Sequence, residues 1–206
     1  CPFSCKYCFL NGVDLTSKKP IELTTVEDAV QQLINFKYYD KSFPLCLFTS
    51  TDFAGCPSNL NYAIKIIEEL YKNNISNPIV FITKQYIPDY FLDVIDEYEK
   101  KSMKFVFLLS YSGLTNKIEV GINKEKIKEN FINLHKRGKK IIHYWRPFLP
   151  ENSTQEVLED VFEKLYDKEL KSYYINGKSY NKAYSNDYAC LLLALVELYQ
   201  TTYEKE

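Results

Sequence analysis

The chain lacks a surplus of charge of either sign: 26 Lys and Arg stand against 27 Asp and Glu in 206 residues, a formal net charge of -1. That removes the positive field on which non-specific nucleic-acid binding relies, while leaving local patches open. It also lacks any run approaching the roughly 20 uninterrupted apolar residues of a membrane-spanning helix. The longest run, around 191–196, is short. No secretory leader is legible, because the chain opens directly on Cys1 with neither Met nor a charged stretch. Histidine is rare, and none precedes His135. No internal repeat or linker is visible, and 46% hydrophobic with 26% charged residues excludes disorder and collagen-like repeats.

A chain of this size buries roughly 70% of its unfolded surface, enough for a core without staples. One domain, 1–206, is expected. Four apolar runs of roughly 4–8 residues, β-branched and aromatic, read as buried strands. They lie at 45–50, 79–84, 104–110 and 140–146. Helical periodicity fills the intervals at 25–36, 61–73, 89–101 and 124–137. Strand then helix, repeated about every 30 residues, predicts parallel βαβ units with right-handed crossovers. Near-continuous apolar strands imply cover on both faces, as in a doubly wound sheet or a barrel. A full eight-stranded barrel needs about 250 residues, so only part of one fits. This α/β core spans 1–150, and 151–206 is a less regular extension: a helix at 155–166, a short strand at 171–175 and a final apolar helix at 185–203.

In parallel α/β folds ligands gather at the carboxyl ends of the strands. Here those ends read Thr49-Ser50-Thr51-Asp52, Thr83-Lys84, Ser110-Tyr111-Ser112-Gly113 and Trp145-Arg146-Pro147. Strands also end in polar residues simply because solvent begins there. Arg146 stands out, since Arg137 is the only other arginine in a lysine-rich chain. A guanidinium binds carboxylates in a bidentate manner that lysine does not reproduce.

Three of the 6 cysteines fall within Cys1-Pro2-Phe3-Ser4-Cys5-Lys6-Tyr7-Cys8, spaced C-x3-C-x2-C. This is not the disulfide framework of a small secreted domain; it reads as metal ligands, and thiols of this kind fit a reducing cytoplasm. Three thiolates on one short loop hold three corners of a cubane iron–sulfur cluster and leave the fourth iron open. A structural zinc site wants four ligands. The nearest further cysteines, Cys46 and Cys56, are far along the chain. A non-catalytic iron–sulfur or zinc module remains the alternative, and a Cys-x2-Cys thiol redox protein a third reading.

The cysteine loop and the order of strand ends resemble the radical S-adenosylmethionine superfamily, marked by C-x3-C-x2-C with an aromatic residue, here Tyr7, before the third cysteine. The resemblance covers roughly residues 1–150 and implies a partial (βα)6 barrel whose first strand would precede Cys1. It implies that Cys1, Cys5 and Cys8 bind a [4Fe-4S] cluster chelated by S-adenosylmethionine. Reductive cleavage would then give a 5'-deoxyadenosyl radical that abstracts hydrogen from a substrate. An electron donor such as flavodoxin or ferredoxin is implied; the substrate, whether small molecule, peptide or nucleic acid, is not. The superfamily's Gly-Gly-Glu-Pro stretch is absent, and Thr49-Ser50-Thr51-Asp52 stands in its place.

Among subgroups, the strand ends resemble the spore photoproduct lyase-like, DNA photolyase-type enzymes. That match implies cofactor contacts from Ser50 or Thr51, Lys84 and Ser110, with Lys84 as cationic partner of the cofactor carboxylate. The lyase has a hydrogen-donating cysteine just before its Thr-Ser-Asp; Thr49 is there instead, so photoproduct repair is not the expected reaction. Arg146 is a candidate for gripping the methionine carboxylate or a substrate anion, with Tyr144 and Trp145 stacking on a ring; the alternative has Trp145 in the core and Arg146 paired with an acid. His143 reads as a packed, hydrogen-bonded histidine. Glu119 reads as a solvated loop charge, with a ribose hydroxyl as the other reading. The basic run 135–140 reads as a solvated helix end. Cys46 and Cys190 read as buried apolar residues, and Cys56 as ambiguous, one reading turning it toward the site.

Overall fold

A computed structural model describes residues 1–3, 5–13, 21–167, 172–175 and 178–180. Its centre is a four-stranded parallel sheet of β1 (Leu45–Leu47), β2 (Ile79–Thr83), β3 (Phe105–Leu109) and β4 (Lys140–His143). The spatial order equals the chain order, β1-β2-β3-β4. The register runs Leu47 to Phe81, Phe81 to Phe107 and Leu109 to His143. A doubly wound sheet reverses its order at a switch point; the described strands do not. With right-handed crossovers, a monotonic order puts every connecting helix on one face, the arrangement of a partial α/β barrel.

The helices start where capping chemistry allows. The hydroxyl of Thr25 accepts from the Asp28 amide to open α1 (Val26–Ile34). Pro57 at the first position of α2 (Pro57–Lys72) uses a site whose amide has no intrahelical partner. That begins the helix before the expected residue 61. Pro88 precedes α3 (Asp89–Lys100), and Asn123 Oδ1 accepts from Lys126 N to open α4 (Lys124–Lys136). Helix α5 (Gln155–Leu165) follows the last strand of the sheet. None of the described helices is long and apolar enough to cross a membrane.

Alternation along the strands separates two faces. Ile79, Phe81 and Thr83 are buried while Val80 and Ile82 are half-buried. Phe81 packs on Phe91 of α3 at 5.6 Å between ring centroids, and His143 on Phe131 of α4 at 5.9 Å. Those positions therefore face the helix layer. The opposite face is less covered than the apolar runs led one to expect. Cys46, in register with Val80, belongs to that opposite face of the outermost described strand and is exposed. The expectation of a buried Cys46 is corrected accordingly.

β1 stops at Leu47, three residues before the expected end, because Phe48 takes a left-handed φ of 61° and breaks the extended run. β4 stops at His143 rather than Arg146. Two short strands escaped the sequence reading: β5 (Tyr166–Asp167) and β7 (Lys178–Tyr180) flank β6 (Ser172–Ile175) in an antiparallel sheet. β6 matches the strand expected near 171–175. The helix expected at 185–203, and Cys190 with it, lie outside the described residues.

The basic run at the end of α4 is a solvated helix end only in part: Lys136 and Lys140 are exposed, but Arg137 and Lys139 are not free in solvent. Arg137 pairs with Asp89, Asp93 and Asp96, while Lys139, 3% exposed, pairs with Asp96 and Glu99. These ions tie α4 to α3 below the sheet, at the end where β4 begins.

Candidate functional site

The cysteine loop lies over the carboxyl ends of the strands. Cys8 N donates to Cys5 O at 3.1 Å, Asn11 Nδ2 to Cys5 O at 3.0 Å, and Lys6 N to Ile118 O at 3.0 Å, which fastens the loop to the β3–α4 connection. Pro2 lies so close to Gly55 that a Cβ there would stand 2.9 Å from Pro2 Cγ. Glycine is what allows that approach. Cys5 is 8% exposed, whereas Cys1 and Cys8 are half-buried.

Beside Cys5 the strand ends converge on Lys84. Its ammonium donates to Ser110 Oγ at 2.6 Å, Glu119 Oε1 at 2.9 Å and the Arg146 carbonyl at 2.8 Å. Ser110 Oγ also donates to the Arg146 carbonyl, at 2.8 Å. Tyr7 OH donates to Glu119 Oε1 at 2.7 Å, and Ser112 Oγ to Glu119 Oε2 at 2.7 Å. The Lys84 ammonium stands 5.8 Å from the centroid of the Tyr7 ring. Residues from the cysteine loop and from three strand ends thus meet in one network, which includes Tyr7, Lys84 and Ser110 from the expected set.

Two carboxylates central to this network were not recognised in the sequence as such. Glu119 is 2% exposed, which corrects its reading as a solvated loop charge. Asp52, 8% exposed, accepts from Thr83 Oγ1 at 2.6 Å, Lys84 N at 2.7 Å and Ala54 N at 3.0 Å, so it fixes the backbone that carries Lys84. Its only advance signal was its place after Thr51 at a strand end. Ser50 is exposed, and Thr51 accepts from Asn59 Nδ2 at 3.4 Å. From that segment it is Asp52 that touches Lys84.

Buried asparagines staple the loops. Asn59 donates to Asp52 O at 2.7 Å. Asn130 donates to Gln85 O at 2.6 Å and accepts from Ile87 N at 2.9 Å, holding the loop after Lys84. Asn152 donates to Ser112 O at 2.7 Å and Pro147 O at 2.9 Å, joining the loops that follow β3 and β4.

Arg146 is exposed, and its Nη1 donates to the Tyr144 hydroxyl at 2.6 Å. No described carboxylate forms an ion pair with it, contrary to the paired-acid alternative. Trp145 packs half-buried against the core beside His143 and Phe148, and its Nε1 is buried with no acceptor. His143 is packed and hydrogen-bonded as expected, its Nε2 2.8 Å from Tyr111 O. Cys56 opens α2 with its Sγ 3.2 Å from Ser58 Oγ.

Burial sets the electrostatics. It raises the Cys5 thiol above its ordinary value, against the lowering influence of Tyr7 and the Lys84 ammonium. Burial, followed by the Glu119 charge, pushes the Tyr7 phenol far up, so it stays a proton donor. Burial also raises Asp52, opposed by its three donors. Tyr111 is pushed up to about 12 by burial.

Among the described residues, no three or more of His, Cys, Asp and Glu gather as they would around a single metal ion. No known family profile and no curated protein sequence matches the chain.

Proposed function

We propose that this chain is a radical S-adenosylmethionine enzyme on a partial (βα)6 barrel, holding a [4Fe-4S] cluster through Cys1, Cys5 and Cys8. The observation that carries the reading is the placement of the cysteine loop on the carboxyl ends of a parallel sheet, with a lysine, a serine and the loop's own tyrosine networked beside Cys5. The donor set suits a cluster. Thiolates are the usual protein ligands of iron–sulfur clusters, and a cubane spreads its ligands over several irons where a closed zinc site draws four to one point.

Bound there, cluster and S-adenosylmethionine supply one-electron cleavage of the sulfonium and hydrogen abstraction from a substrate. The chain's residues do the rest. Lys84 offers a cation to a carboxylate, and Ser110 and the Arg146 carbonyl fix where that cation stands. Ser50 and Thr51 supply oxygens to accept from an ammonium. Arg146, steadied by Tyr144, offers a guanidinium to an anionic group. The packed surroundings of Cys5, with Ser110 and Glu119 buried beside it, exclude water and so strengthen the interactions of Lys84. The electron comes from a donor of the flavodoxin or ferredoxin kind.

Anaerobic reconstitution with iron and sulfide tests the assignment. A brown protein carrying iron and acid-labile sulfide, both lost in Cys5→Ala, is expected. A colourless protein that takes up zinc instead overturns it.

A further inference from the structure

An ammonium has three N–H donors, and in Lys84 all three are taken. Two of the acceptors are neutral and belong to strand ends, Ser110 Oγ and the Arg146 carbonyl, which are also bonded to each other. The third is Glu119, a carboxylate on the β3–α4 connection. An incoming carboxylate therefore meets a saturated cation that is already neutralised. Of the three acceptors, the loop carboxylate is the one whose departure removes like charge and leaves the sheet intact.

Glu119 is also the group that holds the cysteine loop from the other side. The oxygen that accepts from Lys84, Oε1, is the one that accepts from Tyr7, while Oε2 takes Ser112. Tyr7 lies between Cys5 and Cys8. Releasing Lys84 from Glu119 therefore disturbs the one side-chain bond that fastens Tyr7 to the β3–α4 connection. A second cation is within electrostatic reach of the released carboxylate, because Lys124 at the start of α4 interacts with Glu119.

We propose that Glu119 is a built-in occupant of the anion position on Lys84, which a ligand's carboxylate must displace, and that this exchange loosens Tyr7 and couples carboxylate binding to the cysteine loop. The ligand's identity rests on the function proposed above; the exchange itself rests on the shared Oε1. Linkage makes the coupling reciprocal: whatever loosens the Tyr7 tether also eases the carboxylate's entry.

The test compares wild type, Glu119→Gln and Tyr7→Phe, each as the full chain reconstituted with iron and sulfide. Each is titrated calorimetrically with S-adenosylmethionine and with its decarboxylated analogue. Glu119→Gln removes the competing charge, so S-adenosylmethionine is expected to bind at least about tenfold more tightly, in line with the coupling of close charge pairs. The decarboxylated analogue should bind equally to both. Tyr7→Phe removes one bond to the occupant, and a gain of about fivefold for S-adenosylmethionine alone is expected. If Glu119→Gln does not fold, Tyr7→Phe decides by the same pair of titrations. Wild-type binding of S-adenosylmethionine without a gain in the variants, or equal gains for both ligands, overturns the exchange and leaves the cofactor reading standing. Cluster-loaded protein that binds neither ligand overturns both.

Discussion

At the scale of the residue, Lys84 and Glu119 are a partly buried pair in which each side chain makes up the other's surroundings. Lys84→Met leaves the Glu119 carboxylate, 2% exposed, with only Tyr7 and Ser112 as donors. Removing one partner of such a pair costs about 3–5 kcal/mol when the other stays buried, and urea unfolding should show that loss. His143 carries a pH dependence of its own. Burial lowers its imidazole from 6.5 to about 4, with the Lys84 charge acting in the same direction. The unfolded chain therefore takes up the proton first. Stability from this group is complete above about pH 6.5, falls as the pH drops toward 4 and levels off below it. About 2 kcal/mol should be lost between pH 7 and pH 4.5, read as the difference between wild type and His143→Gln in urea titrations at both pH values. Lys84, Ser110 and Tyr7 were legible in the sequence because each stands at a strand end or inside a cysteine motif. Glu119 was not. Whether a loop carboxylate is buried depends on partners brought from elsewhere, here Lys84, 35 positions away, and Tyr7, 112 positions away.

At the scale of the element, strands β2 and β3 and helices α3, α4 and α5 fall within a residue or two of the ranges read from periodicity, because their apolar residues serve the same layer that the periodicity reports. The failures have local causes. β1 is cut short by the left-handed backbone of Phe48, which an apolar run does not announce. β5 and β7 have only 2 and 3 residues, too short to show alternation. The loop after β3 depends on Gly113, whose φ is +73° and whose place is pressed by α5: a Cβ would stand 2.6 Å from Val157 Cγ1 and 2.8 Å from Val161 Cγ2. Gly113→Ala therefore combines a left-handed backbone with overpacking, for about 2–4 kcal/mol. A thermal melt should drop by at least about 5 °C. Ordinary stability with an unchanged melt would mean that α5 does not press on the loop as described.

At the scale of the whole molecule, the two ends of the sheet do different work. The end where β4 begins carries Arg137 and Lys139, each bound to carboxylates of α3, and holds helices together. The opposite end carries the cysteine loop, Lys84, Asp52, Glu119 and the exposed Arg146, with three asparagines fixing the loops around them. A parallel sheet points its carboxyl ends and its helix-ward loops to one side, which is why polar residues separated by apolar strands and helices meet there. The sequence order of the strand ends was enough to locate that side; the pairing of each carboxylate with its donors required the fold. The measurement that goes most directly to the central claim is electron paramagnetic resonance of the reconstituted and reduced protein with and without S-adenosylmethionine. A reduced-cluster signal that shifts when S-adenosylmethionine is added is the predicted result, because in the proposed arrangement an open iron would take the cofactor directly. A cluster signal indifferent to it, or no cluster signal from a zinc-loaded protein, would contradict the account.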